Sequence, residues 1–128
     1  MKVDIDDFNS WLDDTGFLYN RLDLLASKLE RYLLSYKLTS SEDMRQVASK
    51  FSDVLKKCDL IDYQEDSTAI AYAILHFLNR YRRFQLNFLR LIEKDLLPIR
   101  DRTINALDVG TGPGPALYAL SDILFCTY

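Results

Sequence analysis

A run of apolar side chains at helical spacing dominates the middle of the chain. Ile70, Ile74, Phe77, Tyr81, Phe84, Phe88 and Leu91 follow one another at alternating steps of four and three. That period places all seven on one side of an α-helix. The run starts near Ser67 and stops at Leu97, before Pro98, so a helix over 67–97 is predicted. A helix of that length would extend roughly 45 Å. Aromatic residues fill much of the seam, which favours packing inside a helical bundle over a two-stranded coiled coil.

The segments before it carry the same period. Phe8, Leu12, Leu18, Leu22, Leu25, Leu29 and Tyr32 predict helix from residue 4 to about 36. Asp4 is placed to cap its start, and Gly16 to divide it in two. Trp11 is expected against its apolar face. A second helix is predicted over 40–58, with Met44, Val47, Phe51, Val54 and Cys58 as its stripe. Thr39 and Glu42 have the spacing of a capping box at its start. Cys58 reads as a small buried residue, because no basic neighbour favours its thiolate.

Composition narrows the class. The 128 residues carry 16 basic and 19 acidic side chains, a net charge of -3, and 48% hydrophobic residues, as in an ordinary soluble domain. No apolar run approaches the roughly 18 residues of a membrane span. The first residues have no secretory apolar core, so a cytoplasmic location is expected. Cys58 and Cys126 are too few for a disulfide scaffold. The lone His76 has no nucleophile or metal-ligand partner at a recognisable spacing, so no metal and no catalytic residue is assigned.

After Pro98 the pattern changes. Ile104 to Val109 reads as a short apolar strand, Gly110 to Gly114 as a glycine-rich loop, and Pro115 as the first residue of a helix carrying Ala116, Leu117, Ala119, Leu120 and Ile123. Three glycines at alternate positions let a ligand approach the backbone closely, and the helix start aims N–H groups at the same place. The spacing is G-x-G-x-G, not the G-x-G-x-x-G of dinucleotide folds, and the lysine of a P-loop is absent.

This segment, Ala106-Leu107-Asp108-Val109-Gly110-Thr111-Gly112-Pro113-Gly114-Pro115, closely resembles motif I of the class I S-adenosylmethionine-dependent methyltransferases. The resemblance implies that Asp108, Gly110, Thr111, Gly112, Pro113 and Gly114 line a pocket for S-adenosylmethionine. It also implies a fold class that is mainly α: a helical N-terminal region over 1–99, then, over 100–128, the first strand–loop–helix of a Rossmann-like domain. The family's later strands, its ribose-binding acid and its catalytic motifs have no counterpart here. The chain therefore reads as the N-terminal portion of a methyltransferase, too short to be catalytic alone. The long helix and its Leu-Pro stop resemble the helical extension of some methyltransferases associated with ribosomal RNA.

One further pattern concerns partners. Ala73, His76, Arg80, Arg83, Asn87, Arg90 and Lys94 share a second stripe of the long helix, and residues 80–102 hold seven basic and three acidic side chains. Arg80, Arg83, Arg90 and Lys94 make RNA the favoured methyl acceptor. The competing expectation is a solvated face, or one paired with Asp13, Asp14, Asp23 or Glu30. The alternative function is a non-catalytic helical interaction module whose apolar seams bury against a partner or a second copy.

Overall fold

The computed structural model describes residues 5–56, 61–97, 103–110 and 112–127. Five helices are formed: α1 (Ile5–Thr15), α2 (Phe17–Tyr36), α3 (Ser41–Lys56), α4 (Asp66–Glu93) and α5 (Pro115–Thr127). Among the described residues no helix is long and apolar enough to cross a membrane.

Local chemistry sets the boundaries. Gly16 divides α1 from α2 by adopting φ 59°, a conformation that costs side-chain-bearing residues dearly. The Thr15 carbonyl exposed by that break accepts a hydrogen bond from Asn20 Nδ2 at 3.0 Å. The capping box of α3 lies one residue later than Thr39 and Glu42. Ser40 Oγ accepts the Asp43 N–H at 3.1 Å, and Asp43 Oδ2 accepts the Ser40 N–H at 3.0 Å. Aspartate thus does here what glutamate does in the common form of the box. The helix α4 ends at Glu93 rather than Leu97. Asp95 turns to φ 55°, and the N–H groups of Leu96 and Asp95 return to the carbonyls of Leu91 and Ile92 at 2.8 and 2.9 Å, a Schellman closure. Asp4, Cys58 and Pro98 lie outside the described residues.

The chain forms two compact units, Leu24–Asn79 and Met1–Asp23 with Arg80–Tyr128. In the first, Val47 and Val54 of α3 meet Ala71 of α4, with Phe51, Ile70, Ile74 and Leu75 packed around them. The predicted stripes supply Val47, Phe51, Val54, Ile70 and Ile74, whereas Ala71 and Leu75 lie off the predicted seam of α4 and Met44 stays exposed. Tyr72 stands between Tyr63 and His76, with ring centroids 5.3 and 4.9 Å away. His76 is half-buried. In the second unit, Leu12 of α1, Ile92 of α4 and Ile123 of α5 form the centre, packed by Phe17, Leu18, Phe88, Leu89 and Leu97. Burial of a side chain such as Ile123, which is wholly inaccessible, stabilises by about 1.5–3 kcal/mol. Trp11 packs its ring against Phe17, with centroids 5.4 Å apart, and remains 40% exposed.

The strand expected over 104–109 is not formed. Residues 103–108 take neither helix nor ladder, and no strand occurs among the described residues. The mainly-α expectation with a Rossmann-like strand–loop–helix is corrected accordingly: the described fold is all-helical. The reason is pairing. A strand satisfies its N–H and C=O groups only against a neighbour. Among the described residues none is available, and Leu107 and Val109 remain 90% and 84% exposed.

Two carboxylates of the Leu24–Asn79 unit carry a pH dependence. Hydrogen bonds from Ser40 and Thr39 hold Asp43 below the ordinary carboxylate range. Lys50, whose Nζ donates to Glu65 Oε2 at 2.8 Å, does the same for Glu65, with help from Ser67. A carboxyl whose folded pKa is lowered stabilises the fold above its unfolded pKa and loses that contribution as pH falls through the folded value. The urea midpoint is therefore expected to hold from neutral pH to about pH 5 and to fall below about pH 4. The fall should be shallower in Glu65→Gln.

Candidate functional site

The glycine loop leads straight into α5. Gly110, Gly112 and Gly114 adopt φ of 70°, 54° and 78°. Three left-handed residues at alternate positions are nearly prohibitive for anything but glycine, so the backbone needs the residue type that the motif supplies. A Cβ added at Gly110 would meet nothing within 4 Å. The space beside that backbone is open, and conformation rather than crowding requires the glycine. Pro113 is exposed, and Thr111 lies outside the described residues.

The helix begins as its sequence dictates. Pro115 occupies the first position, where a missing N–H costs nothing, and the Gly114 carbonyl accepts the Tyr118 N–H at 3.2 Å. The first turn of α5 contains no acidic residue. Its positive dipole end is not neutralised by a carboxylate of its own. Asp108 is half-buried, and its Oδ2 is shielded from solvent with no hydrogen bond to any described residue. The segment therefore carries, in order along the chain, a carboxylate oxygen without a described partner, three left-handed glycines and a helix N-terminus. An ammonium or hydroxyl suits the first, a compact polar ligand the second, and a carboxylate the third.

A buried polar node fixes α5 from its other end. Asp122 is 7% exposed and accepts hydrogen bonds from both sides. Arg21 NH2 donates to Oδ1, and Tyr81 Oη donates to Oδ2 at 2.5 Å. Gln85 Nε2 in turn donates to Tyr81 Oη at 2.7 Å. Tyr81 and Gln85 are both fully buried. Four residues from α2, α4 and α5 thus join one network, and Ala119 and Ile123 pack beside it without exposure. Sequence reading misses this node. Its signal is Asp122 itself, a single acid on an otherwise apolar helix that includes Ala119 and Ile123 on the same face.

Other side chains of α5 are open to solvent. Leu117, Tyr118 and Phe125 are 45%, 52% and 81% exposed. The basic stripe divides in two. Ala73 and His76 are half-buried, whereas Arg80, Arg83, Asn87, Arg90 and Lys94 are exposed. Arg83, Arg90 and Lys94 make no ion pair with Asp13, Asp14, Asp23 or Glu30 among the described residues, where the ion pairs include Arg21–Asp122, Lys37–Asp66, Arg45–Glu42 and Lys50–Glu65. A cleft of about 330 Å³ lies at the α1–α2 elbow, lined by Leu12, Gly16, Leu18, Tyr19 and Leu89, and includes none of the glycine-loop residues. Among the described residues no group of three or more His, Cys, Asp or Glu could hold a metal ion.

The chain matches no known family model, no characterised protein and no solved structure.

Removing the Asp122 carboxylate leaves Arg21 and Tyr81 with unmet donors around a buried site. Asp122→Ala is expected to cost about 2–4 kcal/mol, and Tyr81→Phe about 1–2 kcal/mol. Urea denaturation measures both. A loss under about 0.5 kcal/mol for Asp122→Ala would show that the node does not hold α5.

Proposed function

We propose that residues 108–118 form the cofactor-binding element of an S-adenosylmethionine-dependent methyltransferase. The observation that carries this reading is the coincidence of sequence and backbone. The motif's three glycines all take left-handed conformations, and they lie between Asp108, whose Oδ2 has no described partner, and the start of α5, whose first turn holds no acid. Asp108 suits the ammonium group of the cofactor's methionine portion, and the first turn of α5 suits its carboxylate. Gly110, Gly112 and Gly114 let the ligand lie against the backbone, with Thr111 and Pro113 completing the loop.

The reaction is transfer of the sulfonium methyl group to a nucleophile. The bond between nucleophile and methyl carbon forms as the carbon–sulfur bond breaks, and the sulfonium becomes a neutral thioether. In that scheme these residues bind and orient; none exchanges a proton. The groups that hold ribose and adenine in the family have no counterpart in these 128 residues. These residues supply one wall of the site, and RNA is the proposed acceptor. A non-catalytic interaction module is the second reading. The exposed Leu117, Tyr118 and Phe125 favour it, because large apolar side chains exposed together on one helix ordinarily mark a surface that a partner covers.

Calorimetric titration with S-adenosylhomocysteine separates the two. One wall of a site should bind weakly, with a Kd of about 0.1–1 mM. Gly112→Arg should abolish that binding without unfolding the chain. Absence of heat from a folded sample at millimolar ligand, together with a stable dimer, would favour the interaction module.

A further inference from the structure

We propose that the exposed row formed by Arg83 and Arg90 on α4 and Lys94 just past its end, with Arg80 and Asn87 between and beside them, docks the phosphate backbone of single-stranded RNA, and that Tyr19 stacks an unpaired base beside it. This deepens the proposed RNA acceptor by naming the surface that holds it, and does not depend on the cofactor site.

The first observation is charge. From Ser67 to Ile92 the chain contains four arginines and no carboxylate. The row from Arg80 to Lys94 lies within an arc of about 80° and runs about 21 Å along the helix. In a protein of net charge -3, such a row would be expected to recruit its own acids. Three of its members, Arg83, Arg90 and Lys94, make no ion pair among the described residues. The acids nearest in sequence, Glu93 and Asp95, are both exposed and stand at the end of the row. These three cations are exposed and open to an outside anion. Arginine forks match phosphate oxygens pairwise, which suits a phosphodiester chain.

The second observation is aromatic. Arg82 lays its guanidinium over the Tyr19 ring, 4.6 Å from the centroid, and that ring remains 64% exposed. A flat ring already backed by a cation is a stacking platform for a base that has left its helix. Unpaired bases of this kind belong to RNA loops and single strands. A lipid surface is disfavoured, because the apolar side of α4 in this unit is spent on the core. Tyr81 and Ile92 are buried and Phe88 packs against the central cluster, so these residues of α4 are not free to enter a bilayer beside the row.

The test is fluorescence anisotropy with a labelled 20-nucleotide single-stranded RNA at several salt concentrations. Micromolar binding is expected in low salt, with log K falling against log salt by about 2, as three phosphate contacts require. The triple variant Arg83→Gln, Arg90→Gln, Lys94→Gln should bind at least tenfold more weakly with a nearly flat salt response. These side chains are exposed, so the variant should fold. A control triple of exposed cations elsewhere, Lys28→Gln, Arg31→Gln, Lys56→Gln, should bind within about twofold of the parent. Tyr19→Ala should weaken binding about fivefold or more and keep the salt slope. Gly112→Arg should bind RNA normally, so that failure of the cofactor site and failure of this surface are distinguishable. Equal loss in the two triples, no loss in the row variant, stronger binding to duplex than to single-stranded RNA, or capture by anionic vesicles without RNA binding would each overturn the proposal.

Discussion

A carboxylate in the core organises the part of the molecule that carries the motif. Asp122 is buried on α5, and a buried charge is tolerated only when it is paired and hydrogen-bonded. Arg21 and Tyr81 meet that requirement from α2 and α4, and Gln85 extends it by one more bond. The geometry admits little freedom, because each partner must reach the same two oxygens. Hydrophobic contacts through Ala119 and Ile123 would hold α5 in place, but they would not fix its rotation or its position along its own axis as narrowly. The polar node does both, and with it the direction in which the first turn of α5 points.

That orientation matters because the glycine loop has little support of its own. Backbone in the left-handed region at Gly110, Gly112 and Gly114 is permitted rather than stabilised. Leu107 and Val109 lie outward, and the open space beside Gly110 shows no crowding that would lock the turn. The loop is thus tethered at one end to a helix held by a buried network. A ligand that bridges Asp108 and the start of α5 would supply the missing contacts. The same unit presents the arginine row of α4, so the buried side of that helix serves the core while its outer side stays charged.

Much of the helical plan was legible in the residues. Steps of three and four placed α1 to α4, Gly16 marked the division of the first helical segment, and Pro115 marked the start of α5. These features depend on nearest neighbours, which sequence contains. The strand over 104–109 was misread because an apolar run shows that a segment seeks burial, not whether a partner exists to bury it. The capping box was misplaced by one residue because Thr39, Ser40, Glu42 and Asp43 offer two overlapping registers. Backbone geometry selects the pair Ser40 and Asp43. The Asp122 node was not legible at all, since its members are separated by 41 and 101 residues and meet only through packing. Of the candidate site, the residues could be named from the motif. The backbone conformations and the state of the Asp108 carboxylate came only from the fold.

The central claim is that Asp108 and the glycine loop, presented by a clamped α5, receive S-adenosylmethionine. The most direct measurement follows backbone amide resonances of the isotopically labelled chain during addition of S-adenosylhomocysteine. The account predicts saturable shifts confined to Asp108, Gly110, Gly112, Gly114 and the first turn of α5, with α3 unmoved. Shifts centred elsewhere, or a loop that remains unperturbed at millimolar ligand in a folded protein, would contradict it.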